Sequence, residues 1–269
     1  MSLRVFIPQD AAARAVGADK VACAVADEAK RSNLDVSIVR TGSRGLFWLE
    51  PMVEVETPGG RIAFGPVGVA DVPGLVTARF ASTHRLCLGR PEDLPFLKRQ
   101  TRITFARCGI VDPLSLADYR ATGGWKGMEK ARSLGPAATL EEVTKSGLRG
   151  RGGAGFPTGI KWKTVADTAA DRKYIVCNAD EGDSGTYADR MIMEGDPFLL
   201  IEGMAIAGFA VGASKGFVYI RSEYPDAVRT MERAVAIAER EGLLGQKAKF
   251  EIEVRVGAGA YVCGEETSL

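Results

Sequence analysis

The stretch that decides the fold is Lys173-Tyr174-Ile175-Val176-Cys177-Asn178-Ala179-Asp180-Glu181. Its first half is apolar and β-branched, which predicts a buried strand over Lys173–Cys177, and a polar loop then runs from Asn178 to Arg190. The same alternation extends in both directions from this point. The further predictions are helices over Ile160–Ala170, Pro197–Gly212 and Tyr224–Glu241, and strands over Phe217–Ile220 and Phe250–Val256. Strands alternating with helices predict an α/β domain whose mostly parallel sheet is covered on both faces.

The N-terminal part of the chain has a different pattern. It reads as a strand over Arg4–Ile7, a helix over Ala11–Lys30 and a second strand over Val36–Val39. A hairpin formed by Phe47–Val55 and Gly60–Val67 follows. This order is compatible with a thioredoxin-like domain.

A glycine-containing linker separates the two parts. It includes residues 109–113 and the Gly123-Gly124 pair, and it places the domain boundary near residue 125. The first domain is therefore predicted to span 1–125 and the second 126–269.

Composition excludes several classes of protein. The 269 residues carry 35 Lys and Arg against 34 Asp and Glu, and a net charge of +1 gives no reason to expect nucleic acid or a membrane surface as a partner. The five cysteines are odd in number and scattered, without a CxxC pair, so a secreted disulfide framework is not expected and the cytoplasm is the default location. The same scatter supplies no complete metal site.

The first glycine loop, residues 150–159, reads Gly-Arg-Gly-Gly-Ala-Gly-Phe-Pro-Thr-Gly, and it lies between two predicted helices. The earlier helix, Thr139–Lys145, begins with a capping-box pattern. Clustered backbone N–H groups at a helix N-terminus favour a phosphate, and Arg149, Arg151 and Lys161 add positive charge. The order of elements fits neither a Walker loop nor a dinucleotide fingerprint, and a structural glycine turn stays open. Phe156 either stacks on a purine or packs beneath the loop.

The acidic loop places three carboxylates, Asp180, Glu181 and Asp183, directly after a strand. Ligands of parallel sheets bind at the carboxyl ends of strands, and carboxylates there accept hydrogen bonds from sugar hydroxyls and repel a 2′-phosphate. The spacing does not fit a calcium-binding loop. A solvated turn is the alternative.

The second glycine loop, residues 257–267, reads Gly-Ala-Gly-Ala-Tyr-Val-Cys-Gly-Glu-Glu-Thr after another strand. Small residues let the backbone approach a flat ligand, and Tyr261 adds a ring. Glu265 and Glu266 either act in the site or begin a helix, where its dipole favours carboxylates. Three such loops at one end of a sheet predict a nucleotide site.

Together the three loops, within a match from about residue 139 to 269, resemble the NADH-oxidising flavoprotein family. That family includes the flavoprotein subunit of complex I, the diaphorase subunit of bidirectional hydrogenases and the β subunit of soluble formate dehydrogenases. Residues 41–51 and 112–119 look most like the formate dehydrogenase β subunit. The resemblance implies a thioredoxin-like domain followed by a Rossmann-like FMN-binding domain.

The resemblance also implies roles for single residues. Phe156 would stack on the NAD adenine, Asp183 would face the NAD ribose, and Glu266 would lie near the nicotinamide as the candidate catalytic residue. Relatives in complex I usually carry Glu where Asp183 stands. The residues implied to hold FMN or NAD are Gly150, Arg151, Gly152, Gly153, Phe156, Lys161, Asn178, Asp180, Glu181, Asp183, Tyr261, Gly264, Glu265 and Glu266.

The implied reaction is hydride transfer between NAD(H) and FMN. Iron–sulfur clusters would link it to formate oxidation, with a small [2Fe–2S] γ subunit and a molybdenum-containing α subunit as partners in a hetero-oligomer. The alternatives are the diaphorase subunit of a bidirectional hydrogenase or of complex I, and a scaffold without flavin.

Iron–sulfur ligands are not expected in this sequence. Cys23, Cys87 and Cys108 do not supply the four grouped cysteines of a [2Fe–2S] thioredoxin-like domain. The family's [4Fe–4S] cluster is expected only in a C-terminal segment that follows Leu269. Since the helix after the last predicted strand has only begun there, we expect the chain to be incomplete.

Overall fold

The computed structural model describes residues 2–183, 185–261 and 263 and forms two compact units, Met1–Asp112 and Pro113–Leu269. The division falls before the boundary near residue 125 that the linker glycines predicted. Residues 113–125 join the second unit because Tyr119 and Trp125 are buried in its hydrophobic core.

The first unit contains one five-stranded sheet in the order β2-β1-β3-β4-β5. Strands β1 and β2 are parallel, while β3 is antiparallel to both β1 and β4. The thioredoxin-like prediction is confirmed. The strands are β1 Leu3–Pro8, β2 Val36–Thr41, β3 Val53–Thr57, β4 Gly60–Phe64 and β5 Cys87–Gly89, and the helices are α1 Ala11–Ala15, α2 Ala18–Arg31, α3 Val72–Thr77 and α4 Pro95–Lys98.

Two predicted elements of this unit differ in the structure. The single helix predicted over Ala11–Lys30 is broken at Gly17, whose φ of 103° lies in the left-handed region that favours glycine. The strand predicted to start at Phe47 starts at Val53, because Phe47–Leu49 forms a 3-10 turn.

A buried carboxyl group in the first unit responds to pH. The Glu50 side chain accepts hydrogen bonds from the Ser43 hydroxyl at 2.8 Å and from the Met52 amide at 2.8 Å. Burial raises the pKa of Glu50 from 4.5 to about 7, and the negative charges of Asp10 and Glu54 act in the same direction.

Stability is therefore expected to fall as the pH rises from about 4.5 to about 7, since the folded state holds the Glu50 proton longer than the unfolded chain does. The full effect is about 3 kcal/mol at most. Urea unfolding between pH 4 and pH 8 measures it, and Glu50→Gln is expected to flatten the profile. The exposed Glu56→Gln is the matched control. An equal slope in wild type and Glu50→Gln would contradict the assignment.

The second unit carries a parallel three-stranded sheet in the order β6-β7-β8. Its strands alternate with helices, so the Rossmann-like α/β prediction is confirmed. The strands are β6 Tyr174–Ala179, β7 Lys215–Ile220 and β8 Glu251–Val256, and the helices are α5 Leu116–Ala121, α6 Lys126–Leu134, α7 Pro136–Lys145, α8 Thr158–Asp167, α9 Ala188–Gly195, α10 Pro197–Val211 and α11 Pro225–Arg240.

Within the described residues, helices cover one face of this sheet, so the prediction of two covered faces is wrong for this part of the chain. Val218 and Ile220 of β7 are fully buried in the core that includes α10 and α11. On the opposite face, Tyr174 and Val176 are 46% and 51% exposed. Because the strand order follows the chain order, successive right-handed crossovers place every connecting helix on the same side.

A buried carboxylate holds the start of α6. Glu202, on α10, accepts hydrogen bonds from the backbone amides of Trp125 at 2.7 Å and Met128 at 2.9 Å, and from the Tyr119 hydroxyl. These amides belong to the first turn of α6, where backbone N–H groups lack partners within the helix. Helix α6 is thus capped by a residue far away in the chain.

Two local predictions in this unit are wrong. The capping box at Thr139 does not exist, because α7 begins at Pro136 and the Thr139 hydroxyl bonds to the Gly135 carbonyl within the helix at 2.8 Å. The polar loop predicted to end at Arg190 ends at Tyr187, and α9 begins at Ala188. No helix among the described residues is long and apolar enough to span a bilayer.

Candidate functional site

The acidic loop and the second glycine loop leave the same edge of the parallel sheet. Strand β6 ends at Ala179 and β8 ends at Val256, and these positions pair through β7 with Ile220. The two loops touch, because the Asn178 amide nitrogen donates to the Cys263 carbonyl at 2.5 Å. The polar side chains of the acidic loop and the second glycine loop therefore lie together at the carboxyl ends of the strands, where parallel α/β sheets bind their ligands.

The first glycine loop is a closed hairpin leading into α8. The Gly150 amide donates to the Phe156 carbonyl at 2.8 Å, and the Thr158 amide donates to the Leu148 carbonyl at 2.9 Å. The Gly150 N–H is thus used inside the loop. Helix α8 starts at Thr158, so the positive end of its dipole lies at the base of the hairpin.

The glycines of this region differ in what requires them. Gly155 has a φ of +53°, and a Cβ on Gly159 would lie 2.6 Å from the Thr144 Cα where α7 and α8 pack together. Gly152 and Gly153 have neither constraint: φ is not left-handed, and a Cβ would meet no protein atom within 4 Å. The protein itself does not explain glycine at 152 and 153, and the space above them is open to a ligand that approaches the backbone.

Cationic side chains surround the hairpin. The Arg149 guanidinium donates to the Gly155 carbonyl and the Arg151 guanidinium donates to the Arg149 carbonyl, both at 2.6 Å. Both arginines therefore fix the loop as well as adding charge. The Lys161 ammonium lies 5.7 Å from the centre of the Phe156 ring. Phe156 is 44% exposed, so its ring is available for stacking and is not packed beneath the loop.

Of the three carboxylates in the acidic loop, Glu181 is bound within the protein and Asp183 is open to solvent. The Glu181 carboxylate is buried and accepts hydrogen bonds from the amides of Ala188 at 2.7 Å and Asp189 at 3.1 Å and from the Tyr224 hydroxyl at 3.1 Å. Glu181 therefore caps α9 in the structure, and its predicted place beside FMN stays a prediction. Asp183 is exposed.

The charge of Glu181 also affects its neighbours. Burial raises the pKa of Tyr224 to about 12, with the Glu181 carboxylate acting in the same direction. Burial likewise raises the pKa of Asp189, and the Glu181 charge adds to that shift. These shifts follow from placing several acidic groups together at a helix start.

The second glycine loop is described up to Tyr261 and at Cys263. Its Tyr261 carbonyl lies against Gly182, where a Cβ would come within 3.1 Å, and the Tyr261 side chain is 73% exposed. The predicted site residues Gly264, Glu265 and Glu266 lie outside the described residues, and their roles stay predictions.

Tyr219 belongs to this site although the sequence reasoning missed it. It sits on β7 between Asn178 and Arg255 in the strand register. Its hydroxyl lies against the backbone of Gly257, where a Cβ would come within 3.0 Å of the Tyr219 oxygen. Burial raises the pKa of both Tyr219 and Cys263, so both groups stay protonated near neutral pH. The sequence feature that could have identified Tyr219 is its hydroxyl near the carboxyl end of a predicted strand, where ligands of parallel sheets bind.

The arrangement fits a phosphorylated flat ligand. The hairpin at the start of α8 offers positive charge for a phosphate and open space over Gly152 and Gly153. Asn178 and Asp180 supply polar groups at the strand ends. No group of three or more metal-ligand side chains occurs among the described residues.

Residues 143–269 match a family model described as the Nuo51 FMN-binding domain. The chain is 51% identical over 177 residues to the NADP-reducing hydrogenase subunit HndC of Solidesulfovibrio fructosivorans, a match that covers 64% of this chain and 36% of that protein. It is 45% identical over 164 residues to an NADH-quinone oxidoreductase subunit of Escherichia coli, covering 58% of this chain and 37% of that protein.

The fold is also similar to a solved structure. The crystal structure of an NAD⁺-reducing [NiFe]-hydrogenase in the H₂-reduced state aligns with a TM-score of 0.50 and 27% identity, over 99% of this chain and 45% of that chain.

These matches support FMN and an NAD-type dinucleotide as the ligands, as the resemblance implied. They do not support the specific prediction of a formate dehydrogenase, since the similar proteins named here are hydrogenase and quinone oxidoreductase subunits. The chain spans roughly a third of the length of these curated relatives.

Proposed function

We propose that this chain carries the FMN- and NAD-binding site of an oxidoreductase subunit that exchanges hydride between NAD(H) and FMN. The observation that carries the proposal is the open space over Gly152 and Gly153, beside the positive end of α8. When bound, FMN accepts two electrons together as hydride and releases them singly, which connects nicotinamide chemistry to one-electron carriers.

The protein's part in this reaction is positioning and charge. The first glycine loop and Lys161 would hold the FMN phosphate, because backbone amides, the helix dipole and an ammonium all attract an anion there. Asn178 and Asp180 would meet the polar edges of the ribityl chain or ring. Gly150, Arg151, Gly153 and Glu181 complete the proposed FMN shell among the described residues.

The dinucleotide would lie on the solvent side of this shell. The exposed Phe156 ring offers a stacking surface for the adenine, and the exposed Tyr261 ring lies on the facing loop. Glu266 remains our candidate for the nicotinamide end and for the catalytic residue.

Two measurements on the full-length protein test the proposal. FMN titration followed by quenching of flavin fluorescence should show saturable binding, and the loaded protein should reduce an artificial electron acceptor with NADH. A protein that binds no FMN would instead support the flavin-free scaffold.

Replacing Asp183 by serine is expected to improve the use of NADP relative to NAD. An exposed carboxylate facing a ribose repels a 2′-phosphate, and serine removes that repulsion. The ratio of kcat/KM for NADPH to that for NADH should rise roughly tenfold, equivalent to about 1.4 kcal/mol. Asp167→Ser, an exposed carboxylate on α8, is the control. An unchanged ratio in Asp183→Ser rejects this role.

The electron partner of the subunit is proposed from the proteins that this chain resembles. Names of the similar proteins favour a hydrogenase or a quinone reductase over a formate dehydrogenase, so we place those alternatives first. Formate oxidation with [2Fe–2S] γ and molybdenum α subunits stays a candidate, because residues 41–51 and 112–119 resemble the formate dehydrogenase β subunit. Metal analysis of the purified native complex separates them, since nickel indicates hydrogenase and molybdenum indicates formate dehydrogenase. Cytoplasmic location stays a proposal that rests on cysteine usage.

A further inference from the structure

Two side chains from one turn bind the same residue of the acidic loop. The Arg221 guanidinium donates a hydrogen bond to the Glu181 backbone carbonyl, and the Tyr224 hydroxyl donates to the Glu181 carboxylate at 3.1 Å. Arg221 comes directly after Ile220, the last residue of β7, and Tyr224 is the residue before α11. Glu181 is therefore bound through its backbone by one partner and through its side chain by the other.

The turn that carries both partners is itself fixed in place. The Tyr224 amide donates to the Arg221 carbonyl at 3.2 Å, and the Arg221 guanidinium also pairs with the Glu223 carboxylate at 3.0 Å. The Tyr224 residue is only 6% exposed. Ile220 pairs with Ala179 in the register of the parallel sheet, so the turn lies beside the start of the acidic loop. The two donors therefore occupy defined positions next to the loop.

The position of Glu181 decides where its neighbours in the chain lie. Asp180 precedes it, and the exposed Asp183 follows two residues later. Gly182, between them, packs closely on the second glycine loop, since a Cβ there would lie 3.1 Å from the Tyr261 carbonyl oxygen. Because consecutive Cα atoms are held about 3.8 Å apart, Glu181 cannot shift far without moving Asp180 and Gly182.

The helix cap made by Glu181 does not replace these two contacts. Its carboxylate accepts hydrogen bonds from the amides of Ala188 and Asp189, which joins the loop to the helix that directly follows it in the chain. Arg221 and Tyr224 join the same residue to the end of β7, 40 and 43 residues further along. The cap therefore fixes the loop to α9, and the other two bonds fix it to the sheet.

We propose that Arg221 and Tyr224 are positioning residues that hold the acidic loop in the arrangement that FMN and NAD(H) meet. The inference rests on the proposed function, in which Asp180 and Asp183, on either side of Glu181, face those ligands. A loop that is ordered before binding spares the ligand the entropic cost of ordering it. Arg221 and Tyr224 act here through Glu181 and not by touching a ligand.

The first test uses the full-length protein with Tyr224→Phe, which keeps the buried ring and removes the hydroxyl. FMN affinity is expected to fall roughly fivefold, in the range of one lost hydrogen bond. Without FMN, amide hydrogen exchange at Ala188 and Asp189 is expected to become several-fold faster, because the carboxylate that accepts their bonds is held less firmly. Tyr174→Phe, which changes an exposed tyrosine at the start of β6, should alter neither quantity.

A second pair of variants tests the backbone contact and also serves if Tyr224→Phe fails to fold. Arg221→Met removes the donor and should weaken FMN binding roughly tenfold, whereas Arg221→Lys keeps a charged donor and should recover part of that loss. At saturating FMN, Arg221→Met should raise the KM for NADH more than it lowers kcat, because Asp183 is proposed to face the ribose and not the reacting atoms. Arg233→Met, which removes an exposed arginine from α11, is the control.

Four outcomes overturn the inference. They are an unchanged FMN affinity in either Tyr224→Phe or Arg221→Met, a weakened affinity with unchanged exchange at Ala188 and Asp189, equal losses for lysine and methionine at position 221, and a fall in kcat that exceeds the rise in KM. A wild-type protein that binds no FMN refutes the proposed function separately. The exchange rates then decide alone whether the two residues hold the loop, and equal rates in wild type and variants refute it.

Discussion

Replacing Glu202 by alanine is expected to destabilise the second unit by about 4 kcal/mol or more, since it removes a carboxylate that accepts hydrogen bonds from three buried donors. Those donors are the Trp125 and Met128 amides and the Tyr119 hydroxyl. The site cannot relax easily, because Gly127 packs so closely that a Cβ there would lie 2.8 Å from the Glu202 carboxylate. The loss is a large share of the stability of an ordinary domain.

Urea unfolding followed by tryptophan fluorescence measures this effect, since Trp125 is buried beside the carboxylate. Glu202→Gln, which retains one carbonyl oxygen, should lie between wild type and alanine. The control is Glu232→Ala, which removes an exposed glutamate from α11 and should shift the free energy of unfolding by less than about 0.5 kcal/mol. Similar curves for Glu202→Ala and Glu232→Ala would show that the network contributes little.

Replacing Gly153 by valine is expected to weaken FMN binding roughly 100-fold or more, equivalent to about 3 kcal/mol. The side chain would fill the open space over the first glycine loop, where the backbone is free to approach a ligand. The fold should tolerate the change, because φ at Gly153 is not left-handed and a Cβ there meets no protein atom within 4 Å.

FMN affinity and stability are measured separately in this variant. FMN titration gives the affinity, and thermal unfolding without FMN should give an unchanged Tm. Gly203→Val places the same side chain in open space on the exposed face of α10 and should leave FMN binding intact. If Gly153→Val binds FMN as wild type does, the ligand does not occupy this space.

The order of strands and helices could be predicted from the sequence because it depends on local periodicity. The apolar residues of β7, α10 and α11 are visible in the sequence, and these elements form in the structure where the apolar patterns predicted them. The phosphate-binding character of residues 150–159 was visible for the same reason, since clustered glycine and arginine are local features.

What the sequence could not reveal depends on partners distant in the chain. Helix α9 begins after Tyr187, an N-cap residue with a φ of 53° whose side chain makes no capping bond, and Glu181 caps the helix instead. Helix α6 begins after Trp125 with a φ of 69° and is capped from α10. The site shows the same limit. Tyr219 looks like an ordinary strand residue until the register places it beside Asn178 at the carboxyl end of the sheet.

The capping of α6 from α10 has a consequence for the order of folding. Glu202 and Trp125 are 77 residues apart in the chain, so closing their contact requires a large loop to form first. Helix α6 has nine residues, which is too short to be stable alone in water. It must therefore form late, once α10 has docked, and the two helices belong to one cooperative unit that opens and closes together.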